Sequence, residues 1–142
     1  MKVNDIMTHR ASYVTAQATL AEAARVMRMD GVTYLPVCDL HRVIGTVTDR
    51  DIVIRGLAEG YNPDETSVRA VMSADVVTVY VDEDVRDVGG LMDKKVLRRL
   101  PVLNRNERLV GVVSDGDVFR SKFRLPGGGI RPEFDGAMPH AV

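Results

Sequence analysis

The chain has no tryptophan, one cysteine (Cys38) and only 5% aromatic residues. A single cysteine excludes an intramolecular disulfide and fits a reducing compartment. No apolar run approaches the roughly 18 residues of a membrane-spanning helix, and residues 1–10 carry no apolar signal-peptide core. A soluble, cytoplasmic protein without membrane contact is expected. An excess of one charge is missing too: 19 basic and 20 acidic side chains leave a net charge of -1. A protein that lives on nucleic-acid phosphates needs a basic excess, so nucleic acid is not an expected partner. There is no P-loop or Gly-x-Gly-x-x-Gly loop. No nucleophile, base and orienting acid suggest a triad, so no catalytic residue is assigned. His41 follows Cys38 in a Cys-x-x-His spacing, but two ligands fall short of the roughly four of a structural zinc site. No metal site is assigned, His9, His41 and His140 are read as surface side chains, and Cys38 as a small buried hydrophobe beside Pro36 and Val37.

What is present is a repeat. Val3-Asn4-Asp5-Ile6-Met7 returns as Val68-Arg69-Ala70-Val71-Met72, 65 positions on. Tyr34-Leu35-Pro36-Val37 returns as Arg99-Leu100-Pro101-Val102, again offset by 65. Gly45-Thr46-Val47-Thr48-Asp49-Arg50-Asp51 returns as Gly111-Val112-Val113-Ser114-Asp115-Gly116-Asp117, offset by 66. The spacing is read to break once, Thr15 to Leu20 being two residues shorter than Thr78 to Val85. Each copy reads as β-α-β-β-α. The β-branched Val14-Thr15 and Val76 to Val79 predict a first strand. Thr19 with Glu22 forms a capping box, and Asp84 is the matching cap. Leu20, Ala23, Ala24 and Met27, then Val85, Val88 and Met92, lie at helical spacing over Leu20 to Met29 and Val85 to Lys94. Leu35 to Val37 and Val43 to Val47 predict two further strands, as do Leu100 to Val102 and Leu109 to Val113. A last helix starts at Asp49 and at Asp115.

The expected architecture is α+β (α/β): two tandem βαββα repeats packed sheet to sheet with pseudo-two-fold symmetry. One unit alone buries too little surface to be stable. The copies span 1–61 and 68–124, joined by a linker at 62–67 with Asn62-Pro63-Asp64. The Gly- and Pro-rich stretch 125–142 reads as a flexible tail.

Both copies end a strand with Gly-x-x-Thr/Ser-x-x-Asp and run straight into a helix. Thr48 with Asp51, and Ser114 with Asp117, can be helix caps and nothing more. The same residues also suit a nucleoside. A helix start attracts anions, a hydroxyl there can reach phosphate, and a carboxylate one turn on can accept both ribose hydroxyls. The residues themselves leave both readings open.

The duplicated unit, the Leu-Pro-Val strand and the repeated corner resemble the CBS domain, named after cystathionine β-synthase, over residues 3 to about 124. Thr48 to Ala58 resembles the small stand-alone bacterial CBS pairs, some of them tied to hypoxia or stress responses. The resemblance implies a non-enzymatic regulatory module that requires no cofactor. Its regulatory ligand would be AMP, ADP, ATP or S-adenosylmethionine. It also implies a homodimer through the helices and a separate, unknown regulated protein. By position, Thr48 and Asp51 would serve one cleft, Ser114 and Asp117 the other, with Thr46 and Val112 lining the base. The Asp51 cleft would also receive Asp75, Val76, Val77 and Arg98; the Asp117 cleft would receive Ser12, Tyr13, Val14, Thr33 and Tyr34. Arg98, against Thr33 in the first copy, would make the Asp51 cleft prefer a phosphorylated nucleotide. The Asp117 cleft would take an uncharged adenosine end or stay empty. The alternative for Arg98 and Arg99 is a solvated basic edge. Gly89-Gly90 within a helix points to close helix approach, and Met27, Met29 and Met92 suit either a helix interface or the core. The rival functions are a stress-associated structural or interaction protein with empty clefts, a nucleotide-acting enzyme and a DNA binder.

Overall fold

The computed structural model describes residues 1–123; the expected tail at 125–142 and His140 lie outside the described residues. The chain divides into two compact units. One holds residues 10–77 and 107–109; the other holds residues 1–9, 78–106 and the described residues from 110 on. Each unit therefore contains the opening segment of the other sequence copy.

In the unit of residues 10–77, strand β2 (Val14–Thr15) leads into helix α1 (Leu20–Asp30). Strands β3 (Tyr34–Asp39) and β4 (Arg42–Thr48) follow, then helix α2 (Asp49–Asp51), which widens into a π-helical stretch, Ile52–Leu57. The sheet order is β2-β3-β4; β2 runs parallel to β3 and β3 antiparallel to β4. Leu40 and His41 join β3 to β4 with φ of 47° and 71°, the left-handed pair that a two-residue hairpin requires. Leu20, Ala23 and Met27 turn the buried stripe of α1 onto Leu35, Val37 and Val47 of the sheet. The short turn Val68–Ala70 closes this core with Val68 and Val71. The Val68 N–H donates to the Ala18 carbonyl at 2.7 Å.

The other unit repeats the plan. Strand β5 (Val79–Tyr80) leads into α3 (Val85–Lys95), then β6 (Arg99–Leu103), β7 (Leu109–Ser114) and α4 (Asp115–Ser121). The four-stranded sheet has the order β1-β7-β6-β5. Its edge strand β1 (Thr8–His9) comes from the N-terminus and pairs with β7, Thr8 opposite Val112. The turn Val3–Asp5 docks as its counterpart does: the Val3 N–H donates to the Glu83 carbonyl at 3.0 Å. Val85, Val88 and Met92 are the buried stripe of α3.

The structure corrects several expectations. The first strand of the second copy is Val79–Tyr80, not Val76 to Val79. Val79 pairs with Val102 as Val14 pairs with Val37, so the copies keep step here and the presumed two-residue break is absent. The change from offset 65 to 66 falls instead in the β6–β7 turn, longer than Leu40-His41 and closed by Asn104 accepting from the Asn106 N–H at 3.0 Å. Ala24 is exposed, because the buried stripe of α1 passes through Ala23. Met27 and Met92 are core residues, whereas Met29 is 78% exposed. Cys38 is buried, and that burial pushes its thiol above the usual cysteine range, consistent with an inert packing residue.

Candidate functional site

The repeated corner owes its shape to its glycine. A Cβ on Gly45 would lie 2.7 Å from the Ser73 carbonyl oxygen and 2.9 Å from Met72 Sδ. A Cβ on Gly111 would meet the Thr8 carbonyl oxygen and, at 3.0 Å, Met7 Sδ. The bare backbone lets a Met-Ser or Met-Thr segment pass alongside the strand, as glycine does where two backbones approach closely. Thr46 and Ser73 exchange two N–H to carbonyl bonds of 2.9 Å. Val112, the counterpart of Thr46, lies opposite Thr8.

Beyond each glycine the strand turns into a helix through a reciprocal cap. The Asp51 N–H donates to Thr48 Oγ1 at 3.1 Å, and the Thr48 N–H donates to Asp51 Oδ2 at 2.9 Å. In the second copy the Asp117 N–H donates to Ser114 Oγ at 3.0 Å, and the Ser114 N–H donates to Asp117 Oδ2 at 2.9 Å. The cap reading of these residues is therefore realised in both copies. It uses one carboxylate oxygen; in each aspartate Oδ1 stands outside the cap. Asp51 Oδ1 lies 3.9 Å from Arg55 Nη1, and Asp117 Oδ1 lies 2.6 Å from Arg120 Nη2.

Ser12, Tyr13, Val14, Thr33, Tyr34, Thr46, Thr48, Asp51, Val76 and Val77 lie in the unit of residues 10–77. Tyr34 lies opposite Thr48, two positions along β4 from Thr46, and the Thr33 carbonyl accepts from the Asp49 N–H at 3.1 Å. Val76 and Val77 are half-buried. Asp75 is exposed. Ser12 donates to Asp30 at 2.6 Å, Tyr13 is 55% exposed, and Val14 belongs to the core. In the other unit the Arg98 carbonyl accepts from the Asp115 N–H at 2.8 Å. Arg98 also lines a cavity of about 580 Å³ between α3 and α4, with Arg86, Gly90, Asp115 and Phe119. Asp117 is not among the residues that line that cavity. Gly89 serves close packing, since a Cβ there would lie 3.0 Å from Val118, whereas Gly90 has open space beside it. Sequence reasoning missed Arg55 and Arg120, although each lies one helical turn past its aspartate, where an arginine meets a carboxylate. It also missed β1, which is two exposed residues long and carries no alternating pattern.

Among the described residues no three histidine, cysteine, aspartate or glutamate side chains cluster as metal ligands, and no helix is long and apolar enough to cross a membrane.

Two βαββα copies, each ending in a glycine-gated corner, define a tandem repeat module. The chain belongs to the CBS domain family, whose model matches residues 3–57 and 68–123. Hypoxic response protein 1 of Mycobacterium tuberculosis is 35% identical over 117 residues, covering 82% of this chain and 81% of that protein. The solved structure of Hypoxic Response Protein I with two coordinated zinc ions has a TM-score of 0.74 at 34% identity, covering 85% of this chain and 98% of that one. The CBS domain pair of protein MJ0100, in complex with 5'-methylthioadenosine and S-adenosyl-L-methionine, has a TM-score of 0.74 at 26% identity, covering 86% and 95%. CBSX2 in complex with AMP has a TM-score of 0.73 at 25% identity, covering 85% and 95%.

Proposed function

We propose that this chain is a non-enzymatic regulatory module that binds an adenine nucleotide or S-adenosylmethionine at its two strand-to-helix corners and passes the bound state to a partner protein. The observation that carries this reading is the repeated corner itself. In both copies the helix cap occupies Oδ2 of the aspartate and leaves Oδ1 outside the cap beside a capping hydroxyl; at Asp51 no donor among the described residues lies within hydrogen-bond distance of that oxygen. A ribose diol needs such an acceptor. Two similar relatives were solved with adenosine-containing ligands, which supports the class of ligand. Thr46 and Val112 are the residues proposed to lie beside the base. Signalling follows from differential affinity: a ligand that prefers one conformation shifts the population towards it.

The module is further proposed to act as a homodimer through its helices. In support, Val53, Ile54 and Leu57 are each about half exposed on the π-helical stretch (50%, 48% and 50%). Light scattering coupled to size exclusion tests this; a monomer at micromolar concentration rules it out. The two complete caps favour one second reading, a structural interaction protein whose corners bind nothing.

Thermal unfolding with AMP, ADP, ATP and S-adenosylmethionine separates the two. A ligand at one hundred times its dissociation constant stabilises by about 2.7 kcal/mol. The Asp51→Asn and Asp117→Asn variants, which keep an oxygen for the cap, should each lose part of that shift. No shift with any of the four ligands overturns the nucleotide reading and leaves the interaction protein.

A further inference from the structure

The two corners share the cap and the glycine, and differ in how the second carboxylate oxygen is held. Asp51 Oδ1 has Arg55 Nη1 at 3.9 Å, beyond hydrogen-bond range. That same Nη1 donates instead to the Val71 carbonyl at 3.0 Å and approaches the Met72 carbonyl at 3.5 Å. Arg55 is thus anchored away from its aspartate. Asp117 Oδ1 accepts from Arg120 Nη2 at 2.6 Å, a short charge-assisted bond. Its Oδ2 is already held by the Ser114 N–H at 2.9 Å. Both oxygens of Asp117 are therefore engaged within its own unit, while Asp51 keeps one oxygen without a close donor.

We infer that Arg120 is a built-in competitor for the ribose at the Asp117 corner, setting that corner to fill after the Asp51 corner. The inference rests on the nucleotide reading above and concerns the order of occupancy within it. A ribose hydroxyl approaching Asp117 must displace the guanidinium from Oδ1 or share that oxygen with it. At Asp51 it meets an acceptor that no arginine holds. The difference in reach has a local cause. Arg120 lies three residues past Asp117 on α4, and its guanidinium folds back onto the carboxylate. Arg55 lies four residues past Asp51, on the π-helical stretch, and the Val71 carbonyl takes its donor. The Asp117 side chain is 11% exposed and the Arg120 side chain 43%, so the pair sits between an open surface pair and a buried one. Partly exposed pairs of this kind correspond to roughly a two- to five-fold change in an equilibrium.

The test is a calorimetric titration of the full chain with AMP. The unmodified chain should bind in two steps, and the tighter step should disappear in Asp51→Asn but persist in Asp117→Asn. In the Asp51→Asn background, adding Arg120→Met, which keeps the apolar stem and removes the donor, should tighten the remaining site by about two- to five-fold. Replacing Arg55 by Met in the Asp117→Asn background should leave the Asp51 site within two-fold. Two equal steps in the unmodified chain, a tighter step lost with Asp117, or unchanged or weaker AMP binding on removing Arg120 each overturn the inference while the nucleotide reading stands. Absence of AMP binding by the unmodified chain overturns this order of filling; the nucleotide reading falls as well only if the other three ligands also fail to shift its unfolding.

Discussion

The first and second copies solve the same local problems with different residues. Helix α1 ends in Gly31 with φ of 65°, the left-handed cap that glycine adopts freely. Helix α3 ends in the same left-handed position with Val96, φ 55° and 88% exposed, where a β-branched residue is strained. The first hairpin closes in two residues and the second needs a longer turn. The second copy ties that turn down with Arg105, which donates to both carboxylate oxygens of Asp82 at 3.0 and 2.8 Å and stacks 4.1 Å from the Tyr80 ring centre. The first copy carries Gln17 where the second carries Asp82. The lesson is that duplication preserves contacts that shape the corner, while element ends and turns are free to drift.

The largest effects are expected where the copies are most alike. Gly45→Ala and Gly111→Ala should each destabilise by about 1–3 kcal/mol through overpacking against backbone, with Gly111 the worse of the two because its Cβ meets a carbonyl oxygen more closely. Urea unfolding measures both; a tolerated Gly111→Ala would show that the β1 edge can give way and that the corners are not equivalent in rigidity. A smaller, opposite-signed pair probes the helix ends. Gly31→Val should cost about 1–2 kcal/mol, the penalty of a left-handed L-residue. Val96→Gly should stabilise the fold by about 0.5–1 kcal/mol, since the relief of strain is partly offset by the backbone entropy of glycine. Equal and opposite shifts would make the ends interchangeable; no gain from Val96→Gly would mean that the valine is not strained.

The smallest effect is a pH dependence confined to the second copy. The Arg105 guanidinium holds the Asp82 carboxyl below the usual carboxylate range. Its folded pKa lies below its unfolded value of about 3.9, so the pair supports the fold above that value and the support fades as pH falls through the folded pKa. Unfolding followed between pH 7 and 2 should show a shallower acid limb in Asp82→Asn than in the unmodified chain. Gln17→Ala, its counterpart, should leave that limb unchanged.

How far the residues alone could be read depended on how local each feature is. The helix caps at Thr19, Thr48 and Ser114 were legible because donor and acceptor lie three residues apart. The start of β5 was not, because Val76 to Val79 are uniformly β-branched and no period marks where pairing begins; the parallel partner Val102 decides it. At the candidate site the sequence named both aspartates and both hydroxyls, but not that Arg120 holds one carboxylate while Arg55 stands off the other.

The sequence by itself determined the duplication, the βαββα order, the caps and the residues standing at each corner, since these follow from short-range hydrogen bonding and side-chain periodicity along the chain. Only the tertiary structure decided that the Met-Thr segment borders Gly111 while the Met-Ser segment borders Gly45. It also decided that Arg120 reaches its aspartate where Arg55 turns to a carbonyl. The spacing of three against four residues sets part of the second outcome; the rest depends on which distant backbone occupies the neighbouring space, Val71 beside Arg55 and Thr8 beside Gly111.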